Sequence, residues 1–188
     1  MIVARIQFLI TAIPLLAGWS LFGQGSVMFE NAGAGLNAPI TNGLTGLRVS
    51  GSGFVAQLYY APGTSALEAD LTSLSGVAPF SGSPGYFFGG LRVTDANTPP
   101  GASATFQVRA WEAALGATFE EALANAPSFP NRVLGKSALF VNPTGTSGAP
   151  ATLSNLNGFR LDPVLIPEPG LISLLVLLPL AALRLRRA

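Results

Sequence analysis

Acid–base and nucleophilic chemistry in this chain would have to come from a short list of residues, because the sequence contains no histidine and no cysteine. Their absence excludes Ser-His-Asp triads, cysteine nucleophiles, disulfides and thiolate or imidazole metal sites. Serine–lysine chemistry would depend on Lys136, which is the only lysine. The remaining chemistry is that of paired carboxylic acids, which hydrolyse sugars in many enzymes.

Four carboxylates are the candidates for such a pair: Asp95, Glu112, Glu120 and Glu121. A glycosidase needs two carboxyl groups that face one cleft at a fixed separation. Glu120 and Glu121 are adjacent on a predicted helix, so their side chains point about 100° apart and cannot both face one substrate closely. We interpret them as the solvated first turn of a helix, and we expect that the protein is not an enzyme.

Aromatic side chains indicate a second kind of site, because ring faces bind the C–H side of sugars. The candidates are Tyr59, Tyr60, Tyr86, Phe87, Phe88 and Trp111. In the two alternating segments described below, Tyr59 and Trp111 fall opposite the apolar stripe, which makes them the outward-facing candidates for carbohydrate stacking. The alternative is that both faces of the sheet are covered and that these rings belong to the core.

Metal, nucleotide and nucleic-acid sites lack their usual signatures. A calcium loop needs several clustered side-chain oxygens, and Glu68-Ala-Asp70 and Asp95-Ala-Asn97 offer two each. Gly51-Ser-Gly53 lacks the lysine and Ser/Thr of a phosphate loop. Residues 25–166 hold eight acidic and six basic side chains, a net charge of about −2 with no basic patch. We expect no metal, no cofactor and no nucleic-acid partner.

The elements that would position these residues are mostly strands. Two segments alternate with a period of two, as half-buried antiparallel strands do. They are 54–60, with the stripe Phe54, Ala56, Leu58 and Tyr60, and 104–111, with the stripe Phe106, Val108 and Ala110. Weaker strand candidates are 26–30, 47–50, 86–94, 138–141 and 157–162. Turns rich in proline and glycine separate them, so we predict an all-β fold, an antiparallel β-sandwich of jelly-roll or immunoglobulin-like type or a small barrel.

Three local patterns refine this prediction. One short helix is expected within 116–126, where Thr118 is a capping candidate and acidic residues occupy the first turn. Phe87-Phe88-Gly89-Gly90 lacks strict alternation, which predicts a bulge or a sheet corner. The sequence Gly46-Leu-Arg-Val-Ser50 recurs as Gly90-Leu-Arg-Val-Thr94, which we interpret as chance in a chain rich in Gly and Leu.

The N-terminal segment has the order of a secretory signal peptide. Arg5 supplies a minimal positive region, and an apolar stretch runs from Phe8 to Leu16. Small residues follow at Ala17, Gly18, Ser20, Gly23 and Gly25, and Gly23-Gln-Gly25 is the nearest small-x-small triplet. We place the cleavage between residues 17 and 25 and take 1–24 as the signal peptide, the alternative being an uncleaved membrane anchor.

The C-terminal segment combines a proline motif, a short apolar helix and an arginine cluster. Pro167-Glu168-Pro169 precedes an apolar run from Gly170 to Leu183, about 21 Å long as a helix. A relaxed membrane span needs about 20 residues, so this one is short, and Pro179 should kink it. The final charges are Arg184, Arg186 and Arg187, which should stay on the cytoplasmic side.

This tail resembles PEP-CTERM sorting domains over 23 of the 188 residues, from Ile166 to Ala188. The resemblance implies that an exosortase, a multi-spanning membrane cysteine enzyme, recognises the tail and cuts near the motif. It assigns the sorting motif to Pro167, Glu168 and Pro169, and cytoplasmic retention to Arg184, Arg186 and Arg187. Ile166 stands where the family usually has Val, and Pro179 is less typical. The alternative is an ordinary C-terminal anchor with a coincidental Pro-Glu-Pro.

The expected organisation follows from these ends. Residues 1–24 form a signal helix, 25–163 the exported β domain with one short helix, and 164–188 the sorting tail with its transmembrane helix. Family carriers are typically exported proteins of Gram-negative bacteria that make exopolysaccharide and biofilm. We expect a surface or extracellular-matrix structural protein that is first anchored in the inner membrane. The alternative is a carbohydrate-binding module for the cell's own exopolysaccharide.

Overall fold

Strands dominate the computed structural model, which describes residues 23–74, 76–146 and 148–164. The strands are β1 (Ser26–Glu30), β2 (Ala32–Gly33), β3 (Leu36–Asn37), β4 (Thr41–Asn42), β5 (Gly51–Pro62), β6 (Thr72–Ser73), β7 (Ala78–Phe80), β8 (Phe88–Val93), β9 (Ser103–Glu112), β10 (Val133–Lys136), β11 (Phe140–Pro143), β12 (Ala151–Thr152) and β13 (Arg160–Pro163). The α-helix α1 spans Phe119–Asn125, and single 3₁₀ turns span Glu68–Asp70, Ala113–Leu115 and Ala126–Ser128. The predicted β-rich class with one short helix is confirmed.

Two long strands form the centre of the larger sheet. β5 and β9 pair antiparallel from Phe54 opposite Glu112 to Pro62 opposite Ala104. β10 and β11 share the second edge of β9, while β6 and β7 share the second edge of β5. Beyond β10 the sheet continues through β13 to β4. These two strands are the alternating segments of the sequence, so their period of two correctly predicted the centre of the fold.

The smaller sheets contain one departure from the antiparallel prediction. β1 lies between β8, which runs antiparallel, and β12, which runs parallel; β2 and β3 form a separate hairpin. β4 and β13 are also parallel. Both parallel pairs involve two-residue strands that are reached by long connections, which permit the parallel direction that a tight hairpin forbids.

One hydrophobic cluster contains residues of both sheets. Val27 and Phe29 of β1 are fully buried, as are Leu58 of β5 and Phe106 of β9. Phe29 also packs against Phe87, with 4.6 Å between ring centroids. The apolar stripes predicted for β5 and β9 therefore face this shared core.

A second cluster covers the opposite face of β5 and β9. Its buried members are Tyr59, Trp111, Leu115, Phe119, Ala122, Ala126 and Leu134. Helix α1 supplies Phe119 and Ala122, and it begins after Thr118, whose Oγ1 accepts a hydrogen bond from the Glu121 amide at 3.1 Å. The predicted helix and its cap are confirmed.

Most weaker strand predictions hold with shifted boundaries. The prediction for 47–50 is wrong, because that stretch is a loop with one isolated bridge between Thr41 and Arg48. The expected irregularity near Gly89 is confirmed by a register shift between β1 and β8. In the part of the chain that is described, no helix has the length and apolarity to cross a membrane. The predicted signal and transmembrane helices lie outside the described residues, apart from residues 23, 24 and 164.

Candidate functional site

The rings of Tyr59 and Trp111, the two outward-facing candidates, are 3% and 0% exposed, which agrees with the alternative that they belong to the core. Both do lie opposite the apolar stripe, but that face is covered. Trp111 packs edge-on against Phe119 of α1 and donates a hydrogen bond from Nε1 to the Gly116 carbonyl at 2.9 Å. The outward placement of these two rings is therefore wrong, because the helix and the segment before it bury them, and neither offers a face to a sugar.

Arg109 is the centre of a charged cluster beside these rings. Its side chain is 10% exposed, and its guanidinium lies 3.0 Å from Glu120 and 3.8 Å from Glu68. The guanidinium also stacks on Tyr59, 3.8 Å from the ring centroid, while the Tyr59 hydroxyl donates to Glu120 at 2.9 Å. Gln107 accepts from Arg109 Nε at 2.8 Å. The buried guanidinium therefore has two carboxylates, one amide oxygen and one aromatic ring as partners.

The protonation states in this cluster favour a structural role. A hydrogen bond from Lys136 is the main cause that lowers the pKa of Glu68. Burial, with the carboxylate of Glu120 facing the hydroxyl, raises the pKa of Tyr59. The lowered pKa of Glu68 favours its charged form and the raised pKa of Tyr59 favours its neutral form, and both states suit groups beside a guanidinium. The cluster is therefore an ion-pair network that fixes α1 to the sheet.

The four carboxylates considered for acid–base chemistry are engaged with different partners. Glu120 binds Tyr59 and Arg109. The others are Glu121, which accepts from the Ala117 amide, Glu112, which binds Arg132 and the Val133 amide, and Asp95, which accepts from the Tyr60 hydroxyl. Among the described residues, no group of three or more metal-capable side chains comes together.

An open groove of about 440 Å³ lies where the chain enters β8. It is lined by Ala32, Ser81, Gly82, Ser83, Tyr86, Phe87 and Phe88. The Phe88 ring is 67% exposed and the Tyr86 ring is half-buried. The Tyr86 hydroxyl donates to Asn37 Oδ1 at 2.7 Å, and the Arg48 guanidinium lies 5.2 Å from the Tyr86 ring centroid. The groove therefore combines aromatic and hydroxyl groups with an amide and a guanidinium nearby.

Asn31 fixes the backbone of this groove. Its side chain is fully buried, and Nδ2 donates to the carbonyls of Ala38 and Gly85 at 2.8 Å each. Oδ1 accepts from the Phe87 amide at 2.8 Å. Three bonds from one buried side chain hold separate segments in register, so the groove is largely preformed.

Sequence reasoning named Tyr86 and Phe88 among the aromatic candidates but did not single them out. The available signal was the irregular Phe87-Phe88-Gly89-Gly90 stretch, where Phe87 is buried and Phe88 exposed. No local sequence pattern indicated that Asn31 or Arg48 would contribute to a groove. The predicted sorting residues, which are Pro167, Glu168, Pro169, Arg184, Arg186 and Arg187, lie outside the described residues.

Comparison with known proteins adds no relative. No protein-family model, no curated protein and no solved structure matches this chain.

Proposed function

We propose that this is an exported cell-surface or extracellular-matrix structural protein that an exosortase-type membrane enzyme sorts. One observation carries the proposal: Pro167-Glu168-Pro169 is followed at once by a short apolar run and then by Arg184, Arg186 and Arg187. With an N-terminal signal peptide, this order places the middle of the chain outside the inner membrane and the arginines inside.

The motif also suits recognition by a processing enzyme on physical grounds. Two prolines in three residues favour an extended backbone by their own geometry, and an extended backbone is what a protease or transpeptidase cleft binds. Glu168 is the only charged residue between Asp162 and Arg184, so it is the single charged group there that an enzyme could recognise. In sequence, three residues separate Pro163, where β13 ends, from Pro167. The enzyme would thus meet the motif directly after the folded domain.

The exported domain, in this proposal, is a β-sandwich of jelly-roll or immunoglobulin-like type. The cluster shared by Val27, Phe29, Leu58 and Phe106 supports two sheets packed face to face. Charged residues make up only 10% of the chain. A nearly neutral surface suits a crowded polysaccharide matrix, where it limits non-specific electrostatic binding.

The sorting proposal is tested by substituting Glu168 in the full-length protein. We expect Glu168→Gln to leave the protein in the membrane fraction, while Glu30→Gln, a matched change on β1, reaches the surface fraction like the wild type. Immunoblots of the membrane and surface fractions give the ratio of retained to exported protein. Wild-type distribution of both Glu168→Gln and a Pro167→Ala variant would contradict the sorting role.

Carbohydrate binding is a second candidate, and the groove at Tyr86 is the observation that favours it. Sugars present apolar C–H faces and hydroxyl edges, which match the exposed Phe88 ring and the half-buried Tyr86 ring beside the serines of the groove. The nearby Arg48 adds a donor for a hydroxyl or an acidic sugar. The ligand would be the cell's own exopolysaccharide.

This second candidate is tested by pull-down on the isolated exopolysaccharide. We expect Phe88→Ala and Tyr86→Ala to reduce the bound fraction, and Phe129→Ala to leave it unchanged. Phe129 is a suitable control because its ring is 48% exposed and lies outside the groove lining. Failure of the wild-type protein to bind removes carbohydrate binding without affecting the sorting proposal.

A further inference from the structure

The side chain of Arg48 is held at the margin of the groove at Tyr86. Its guanidinium carbon lies 5.2 Å from the centroid of the Tyr86 ring. The aliphatic part of the side chain packs on Gly85, where an added Cβ would come within 3.0 Å of Arg48 Cδ. Gly85 also has a φ of 88°, which disfavours other residues. A glycine that leaves room for the arginine and an aromatic ring beside the guanidinium therefore set the direction of this side chain.

The backbone that carries Arg48 is bonded to the backbone that carries the groove. Val49, which follows Arg48, is buried, and its amide donates to the Ile40 carbonyl at 3.1 Å. The Val49 carbonyl accepts from the Gly85 amide at 2.7 Å, and the Gly85 carbonyl accepts from the Ile40 amide at 3.0 Å. The guanidinium therefore has a defined position relative to the groove.

The Arg48 guanidinium has no carboxylate partner among the described residues, and the residue is exposed. The other described cations are engaged. Arg92 donates to backbone carbonyls, and four cations form ion pairs with carboxylates: Arg109, Arg132, Lys136 and Arg160. The N–H donors of Arg48 are therefore available to a ligand.

The groove beside this charge is neutral. The described residues that line it are alanine, glycine, serine and aromatic residues. Glu30, which lies opposite Phe88 in the register of β1 and β8, forms no ion pair with Arg48. A neutral sugar in the groove would leave the guanidinium without a counter-charge, whereas a carboxylate can accept two parallel hydrogen bonds from it.

We infer that the groove binds an acidic polysaccharide, with the rings of Tyr86 and Phe88 against a sugar face and Arg48 bound to a carboxylate of the polymer. The inference rests on the carbohydrate-binding candidate and names its class of ligand. A guanidinium that is already in position loses little conformational freedom on binding, which favours affinity. A neutral polymer of the same shape lacks the charge-assisted bonds, which gives selectivity.

The test compares the cell's exopolysaccharide before and after chemical reduction of its carboxyl groups to alcohols. The reduction removes the negative charges and keeps the sugar rings. Pull-down of the full-length protein in a neutral detergent gives its affinity for each polymer. We expect the wild type to bind the reduced polymer about tenfold more weakly, as the loss of one charge-assisted pair predicts. Equal binding of the two polymers would overturn the inference.

Two substitutions that remove the same charge locate the effect. Arg48→Gln should bind the native polymer about as weakly as the wild type binds the reduced one, and reduction should then change its binding little. Arg132→Gln should behave as the wild type, because Arg132 pairs with Glu112 outside the groove lining. A preference for the native polymer that Arg48→Gln retains, or that Arg132→Gln loses to the same extent, would overturn the assignment to Arg48.

Salt dependence separates recognition by Arg48 from a role in folding. Wild-type binding to the native polymer should weaken as NaCl screens the charges, and Arg48→Gln should show a smaller dependence. Arg48→Lys keeps the charge without the paired donors, so we expect lower affinity with the salt dependence retained. The same salt dependence in Arg48→Gln as in the wild type would contradict the proposed contact.

Failure of this inference is distinguishable from failure of the carbohydrate-binding candidate. A wild-type protein that binds both polymers equally, with a loss in Phe88→Ala, overturns the acidic class and keeps the sugar site. A wild-type protein that binds neither polymer overturns both.

Discussion

Arg109 is a buried cation whose partners reach solvent. Its side chain is 10% exposed, whereas those of Glu120 and Glu68 are 60% and 41% exposed. Losing one carboxylate leaves the guanidinium with the other. Losing both leaves a buried charge without a counter-charge, which is a much larger penalty.

We therefore expect Glu120→Gln and Glu68→Gln each to lower the free energy of unfolding by about 1 kcal/mol, and the double variant to lower it by about 3 kcal/mol or more. The extra loss is the cost of the unpaired Arg109 charge. Urea denaturation of the four proteins completes the cycle. Strictly additive effects would show that Arg109 does not depend on this pair.

Acid should weaken the same network through Glu68. A hydrogen bond from Lys136 lowers the pKa of Glu68 in the folded state, so the folded protein binds fewer protons there than the unfolded chain does. This stabilisation is present above the unfolded pKa of about 4.3 and is lost as the pH falls through the folded pKa. Between pH 6 and 3 we expect Glu68→Gln to lose less stability than the wild type, as measured by urea midpoints. Equal losses would contradict this role of Glu68.

The sequence predicted part of this residue chemistry. That Glu120 and Glu121 point apart follows from helix geometry, and they do bind different partners. The meeting of Glu68, Arg109 and Lys136 could not be predicted, because the positions lie on separate elements and no local pattern links them. Which element covers a sheet face is decided by tertiary packing, so the sequence offered the burial of Tyr59 as an alternative but could not decide it.

At the scale of elements, Asn31 joins β1 to the groove segment. We expect Asn31→Ala to lower the free energy of unfolding by about 3 kcal/mol or more, because the buried Phe87 amide and the Gly85 and Ala38 carbonyls each lose a partner. Asn157→Ala, at an exposed asparagine, should change it by less than about 0.5 kcal/mol. Chemical denaturation measures both, and equal effects would refute the role of Asn31.

The repeated Gly-Leu-Arg-Val sequence shows how far element prediction can go. The copy at 90–93 lies in β8, where β1 supplies a partner strand. The copy at 46–49 is a loop that touches its neighbour at one bridge. The same four residues adopt two conformations, because strand formation depends on a partner and on which face is buried. Long alternating segments such as β5 and β9 carry enough pattern to be predicted alone, and short ones do not.

For the whole molecule, the middle of the chain predicts the fold, whereas the two ends predict where the protein is sent. The middle predicts a β-rich fold, and the described strands agree. The ends predict export and sorting from the order of their residues, such as Glu168 and Arg186, which lie outside the described residues. Neither the strand pattern of the middle nor the motifs at the ends predicts the groove at Tyr86. Its walls come from segments that are distant in sequence, and Asn31 holds those segments together.

The measurement that tests the sorting proposal most directly is the C-terminal peptide of the surface-fraction protein, taken by mass spectrometry from cells with and without the exosortase-type enzyme. We expect the peptide to end near Pro167–Gly170 only when the enzyme is present. A peptide that ends at Ala188 in both strains would contradict sorting and leave the tail as a plain membrane anchor.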